Sequence, residues 1–117
     1  MELKISNQSH LDCEIVAIHG EIDLYTAPHL HNELKSALDA GARRLVIDLS
    51  RVGFCDSTGM NVLLSVMRQA REQDGDLELA GPTPAVLKIL SVTGLDTVFT
   101  VHDSTGDLPA AQTAPSG

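Results

Sequence analysis

Leu3 and Ile5 alternate with polar neighbours, the pattern of a strand with one buried side. Asn7 to Asp12 is polar and predicts a turn. Cys13 to His19 (CEIVAIH) is apolar and β-branched and predicts a second strand, close enough to the first for an antiparallel hairpin. Gly20 to Tyr25 reads as a loop. Thr26 then stands where a helix cap belongs, and Pro28 falls in the first turn, where its missing N–H does no harm. Leu30, Leu34 and Leu38 recur at helical spacing, and Gly41 suits the turn beyond the helix end.

Leu45 to Leu49 (LVIDL) predicts a short central strand. A second helix is predicted from Ser57 to about Gln73, with Met60, Leu63, Leu64, Met67 and Ala70 on one face and Asp74-Gly75 ending it. Leu77 to Ala80 predicts a strand, followed by a break at Gly81-Pro82. Thr83 and Pro84 open a third helix carrying Val86, Leu87, Ile89 and Leu90, which Gly94 closes. Thr97 to Val101 (TVFTV) predicts the last strand. The order β-β-α-β-α-β-α-β gives an α/β fold. It is a small mixed, largely parallel sheet with an N-terminal antiparallel hairpin and helices packed on it. Residues 1–102 form one domain, and 103–117, with little to bury, is expected to be mostly disordered.

Composition narrows the function. The chain has 117 residues, enough for one domain with one core, and a net charge of −8. Such a surface repels phosphate backbones, so no direct nucleic-acid partner is expected, nor an anionic membrane. A basic protein partner would gain in encounter rate. The N-terminus lacks the basic and apolar regions of a signal peptide, no stretch suits a membrane span, and a cytoplasmic location is expected. Cys13 and Cys55 lie in apolar runs without a CxxC and read as buried thiols.

In parallel β-α units the loops after the strands share one edge of the sheet. Residues 20–26, 50–57 and 81–83 should therefore be neighbours, at the edge where open α/β sheets commonly place their sites. Ser57 would sit at a helix start, among N–H groups able to hold a phosphate. Each residue there also has a plainer role. Ser57 can be a helix cap, Asp56 can serve the same helix start, and Asp23 can bond its own backbone. Gly59, unfavourable in a first helical turn, allows close approach of a neighbour.

Residues 55–59 (CDSTG) contain half of a G-x-S-x-G nucleophile elbow, and Asp96 and His102 follow in hydrolase order. Nothing in the sequence brings those two to Ser57, so a small serine hydrolase is the remote alternative and no catalytic residue is assigned. His29 and His31 are two apart on a helix and share no face, so no metal site is expected. The absence of a Gly-rich phosphate loop leaves no expected cofactor.

Three segments, in matching order and spacing over residues 3–101, resemble the STAS family of anti-sigma factor antagonists. Gly20-Glu21-Ile22-Asp23 resembles its GE(I/L)D segment, and Asp56-Ser57-Thr58-Gly59-Met60 its DSSG(L/M) segment. Pro84 to Lys88 through Thr93-Gly94-Leu95 resembles its third helix and glycine turn. The resemblance implies a partner switch. The unphosphorylated protein binds an anti-sigma factor with serine kinase activity, which releases its sigma factor. Phosphorylation ends that binding, and a PP2C-type phosphatase restores it. The implied acceptor is Ser57, with Thr58 the alternative. The implied partner-binding residues are Asp23, Asp56, Ser57, Thr58, Gly59 and Met60. A phosphorylation-independent STAS scaffold in a sensory or transporter-associated complex is the competing reading. Thr58 departs from the family's second serine, and Gly106 and Pro109 interrupt the region of its last helix.

Overall fold

The computed structural model describes residues 3–10 and 13–105. Its elements are β1 (Lys4–His10), β2 (Cys13–Ile22), α1 (Ala27–Asp39), β3 (Arg44–Cys55), α2 (Ser57–Glu72), β4 (Asp76–Ala80), α3 (Pro84–Thr93) and β5 (Val101–His102), with a 3-10 turn at Leu95–Thr97. The five strands lie in the order β1-β2-β3-β4-β5. The β1–β2 pair is antiparallel and all others are parallel. This is the predicted mixed sheet.

One face of the sheet carries the main core. Val16 and Ile18 of β2, Leu45, Ile47 and Leu49 of β3, and Leu77 and Leu79 of β4 join residues of all three helices in one cluster. The helices supply Leu30, Leu34 and Leu38, then Met60, Leu63 and Met67, then Val86 and Leu90. Each fully buried aliphatic side chain of this kind contributes about 1.5–3 kcal/mol. The alternate residues Cys13, Val46 and Ala80, with Ile15 against them, form a small separate cluster. No described helix residue belongs to it.

Four boundaries differ from the sequence reading. β2 runs past His19 to Ile22, because Gly20, Glu21 and Ile22, read as loop, pair with β3. β1 runs through the predicted turn to His10, because an edge strand tolerates the polar run Ser6–Ser9. β3 extends six residues beyond Leu49 to Cys55. The register with β2 shifts twice, between Ala17 and His19 and between Gly20 and Glu21. Those irregularities change the burial spacing to Leu49, Val52, Cys55, so alternation no longer marks the strand. Of the predicted strand Thr97 to Val101, only Val101 lies in β5. Gly94 turns left-handed (φ 77°) to end α3, and the N–H groups of Val98 and Phe99 bond back to Leu95 O. Phe99 is thereby buried in the core, and only Val101–His102 pair with β4. Of the expected tail, residues 106–117 lie outside the described residues.

Candidate functional site at the ends of strands 2 and 3

Ile22 and Cys55 are the last paired residues of two adjacent parallel strands. The Asp56 N–H donates to Ile22 O at 3.0 Å, which ties the two loops together directly after that pair. Asp23 and Ser57 each follow this link by one residue, on neighbouring loops, as the topology requires. The third loop joins them at the same edge through the Thr83 hydroxyl, which donates to Val52 O at 2.8 Å.

The first junction is a reciprocal cap. Asp23 Oδ1 accepts from the N–H groups of Thr26 (3.0 Å) and Tyr25 (2.9 Å). The Thr26 hydroxyl accepts from the Asp23 N–H at 2.9 Å and donates to Glu21 O at 2.8 Å. Thr26 itself has helical backbone angles and no capping bond to α1. The expected cap is therefore displaced to Asp23, because the chain is already turning at residues 23–26. The N–H of Thr26 foremost, then that of Tyr25 and the Thr26 hydroxyl, hold the Asp23 carboxyl below its ordinary value against a smaller opposing effect of desolvation.

The second junction is built differently. Asp56, in extended conformation, is the cap, and its Oδ1 accepts from the Gly59 N–H at 3.0 Å. Its backbone carbonyl accepts from Met60. Ser57 is the first helical residue rather than the cap. Its side chain is exposed, and the hydroxyl has no hydrogen-bond partner among the described residues. The N–H groups of Ser57 and Thr58 have no partner within the helix, as in any first turn.

Gly59 and Met60 are buried. A Cβ on Gly59 would stand 2.4 Å from Ile22 Cγ2 and 2.8 Å from Cys55 Sγ, so only glycine lets α2 close onto the strand ends. Met60 is 2% exposed and packs in the core. These two residues set the seat of α2 beneath Ser57. Leu24 (62% exposed) and Tyr25 (87%), by contrast, project from the first loop, and Phe54 is exposed beside it. Leu24, Pro28, Thr58 and Val62 line a shallow apolar groove between the starts of α1 and α2. Two large apolar residues in a loop next to a candidate acceptor were the available sequence signal for this surface.

The hydrolase arrangement is not assembled. His102 Nε2 lies 2.7 Å from Glu78 Oε1, two strands away from the Ser57 loop, and Asp96 is exposed on the 3-10 turn. Glu78 also takes a two-pronged bond from Arg44, at 2.8 and 2.7 Å. Burial, the largest single effect, would raise the Glu78 carboxyl. The bonds from Arg44 and His102 and their charges together outweigh it and hold the carboxyl below its usual value. Sequence reasoning missed this trio, although a glutamate inside Leu77–Ala80 announces a buried charge in need of a partner.

The cysteines are reduced and buried. They stand at opposite ends of the β2–β3 pair, about 30 Å apart along the strands. Burial, with the neighbouring Asp56 charge, pushes the Cys55 thiol up to about 12, so it stays protonated at neutral pH. Among the described residues no cluster of histidine, cysteine or carboxylate side chains could hold a metal ion, and no helix is long and apolar enough to cross a membrane.

The family model described as "Mlab, STAS domain" matches residues 5–102, which contain both junctions and all of the sheet but Lys4. The chain belongs to the STAS family. Among curated relatives of this STAS domain, an anti-sigma-B factor antagonist of Staphylococcus epidermidis is 28% identical over 105 residues, 90% of this chain and 97% of that protein. An anti-sigma-B factor antagonist of Listeria monocytogenes is 29% identical over 108 residues, 92% of each. The crystal structure of an anti-sigma factor antagonist from Mycobacterium paratuberculosis superposes with a TM-score of 0.86 at 26% identity, covering 97% of this chain and 96% of that one.

Proposed function

We propose that this STAS domain is an anti-sigma factor antagonist whose docking is switched by phosphorylation of Ser57, with Thr58 the alternative acceptor. The relatives' names supply the class of partner. The observation that carries the switch is the Ser57 hydroxyl: exposed, unpartnered among the described residues, and held at the first position of a helix fixed from below by Gly59 and Met60.

Phosphorylation adds about −1.5 to −2 charges at neutral pH. At a helix N-terminus the unpaired N–H groups and the dipole accommodate an anion, so the fold tolerates the modification. A docked partner does not. Asp23 and Asp56 already make this edge negative, and an apolar or acidic surface lying on it meets both bulk and repulsion. Loss of a hundredfold in affinity requires only about 2.7 kcal/mol. Ser57 accepts the phosphoryl group, Asp56 sets the turn that presents it, and Asp23 holds the neighbouring loop against which a kinase would close. The kinase, an anti-sigma factor, supplies ATP and magnesium. A PP2C-type phosphatase reverses the step.

The test is binding to the cognate anti-sigma factor with and without ATP, followed by intact mass. Ser57→Ala is expected to bind and to gain no phosphate. Ser57→Asp is expected to fold and bind at least a hundredfold more weakly, on the order of the energy above. Normal phosphorylation of Ser57→Ala would move the acceptor to Thr58 or elsewhere. The exposed Leu24 and Tyr25 favour a second reading, a phosphorylation-independent scaffold, since an apolar patch can dock a partner without any phosphate. Wild-type affinity in Ser57→Asp selects that reading.

A further inference from the structure

We propose that the sheet face turned away from the helices carries a binding cleft for a small phosphorylated polyol, held by Lys4, His19 and Arg51. These three residues form one row across three strands: Lys4 on β1 is the register partner of His19 on β2, which is the register partner of Arg51 on β3. Side chains of directly paired residues project to the same face, so Lys4 and Arg51, though not a direct pair, flank His19 about 10 Å apart, where exposed like charges repel only weakly. The row joins two formal cations through an imidazole in a chain of net charge −8, and none of the three makes an ion pair with a described residue. An anion seated on the row would give both unneutralised cations a partner, one from each side.

The next row supplies the hollow. Ser6, Ala17 and Asp48 are register partners across the same strands. The methyl group of Ala17 leaves a low floor between longer neighbours, and the cleft bounded by both rows and Ser50 has a volume of about 440 Å³. That is the size range of sites for small organic ligands. Asp48 Oδ1 accepts from the Ser50 N–H at 3.0 Å, which fixes the carboxylate on one wall. The cleft is thus polarised. Its cationic end suits a phosphate, for which the Arg51 fork is shaped, and its Asp48, Ser6 and Ser50 end suits hydroxyl groups. A bare anion would meet the repulsion of Asp48 without using the hydroxyl-binding wall.

The experiment is an amide NMR titration of the full chain with ribose 5-phosphate, with ribose and sodium sulfate as separate arms. Saturable shifts are expected at residues 4–6, 17–19 and 48–51 with ribose 5-phosphate, none with ribose, and weaker binding of sulfate. Lys4→Gln/Arg51→Gln changes exposed side chains, so its spectrum should remain that of the folded chain, and its affinity should fall about tenfold or more. Absence of saturable shifts at those residues up to about 10 mM, a affinity range weaker than ordinary metabolite sites, overturns the assignment. So does unchanged affinity in the double variant. Equal affinity for sulfate reduces the cleft to an adventitious ion site and overturns it as well.

Discussion

The two loop-helix junctions at the strand ends use the same residue types to opposite effect. In each, an aspartate accepts an N–H three residues further on: Asp23 from Thr26, and Asp56 from Gly59. In the first junction the hydroxyl stands at that third position, is 6% exposed, and returns a bond to the cap's own N–H. In the second the third position is glycine, and the hydroxyl stands one residue after the cap, where it is exposed. Position within the turn, rather than the presence of a hydroxyl, separates a structural threonine from an available serine. The glycine contributes twice. It offers no side chain to close the cap reciprocally, and it lets Ile22 and Cys55 press against the helix.

The largest break in this comparison comes from filling the glycine. A Cβ at position 59 has no room, and its nearest neighbours are a branched buried isoleucine and the buried Cys55 thiol. Gly59→Val adds two further methyl groups to that clash. It is expected to cost about 3 kcal/mol or more, outweighing any gain in helix preference over glycine. Urea unfolding measures it. A loss below about 1 kcal/mol would mean that α2 is not seated by this contact.

Thr26→Val comes next. It keeps the shape and removes the hydroxyl, leaving the Asp23 N–H and the Glu21 carbonyl without their partner. The expected loss is about 2 kcal/mol, typical of buried groups left unsatisfied. The same junction has a pH signature. The Asp23 carboxyl titrates below its ordinary value, chiefly because it accepts the Thr26 N–H. A depressed carboxyl means that the folded chain binds fewer protons than the unfolded one. Its stabilising contribution is complete above the ordinary aspartate value, about 3.9, and is lost as pH falls through the lower folded value. Carboxyl NMR should place the Asp23 midpoint under the ordinary value in the wild type and closer to it in Thr26→Val.

The fold was legible because burial on a single side leaves a clear period. Leu30, Leu34 and Leu38 on α1 and Met60, Leu63 and Met67 on α2 are buried as their spacing predicts. Leu64 and Leu87, assigned to buried faces by the same rule, are only partly buried and exposed, because each lies at the margin of its helix stripe. Legibility failed where the period broke. The register shifts in β2–β3 hid the second half of β3, and the left-handed Gly94 turned TVFTV into a turn around a buried Phe99. At the candidate site, topology alone sufficed to place the loops of Asp23 and Ser57 at one edge of the sheet. Which aspartate capped which N–H depended on where each chain begins to turn, and residue types do not encode that without coordinates. The contacts of Glu78 with Arg44 and His102 span 34 and 24 positions and leave no local pattern.

The smallest effect sharpens the comparison most. Ser57 is exposed, occupies the first helical position, and its hydroxyl bonds no described residue. Ser57→Ala therefore removes nothing that the fold uses, and alanine is at least as good a helix former. Its stability should match wild type within about 0.5 kcal/mol, the ordinary range of a surface substitution. Side-by-side urea unfolding with Thr26→Val makes the contrast quantitative: two hydroxyls on neighbouring loops, one costly to remove and one free to change. If Ser57→Ala lost as much as Thr26→Val, the serine would be a structural cap in its own right. Its phosphorylation would then cost fold stability, and the distinction between the two junctions would disappear.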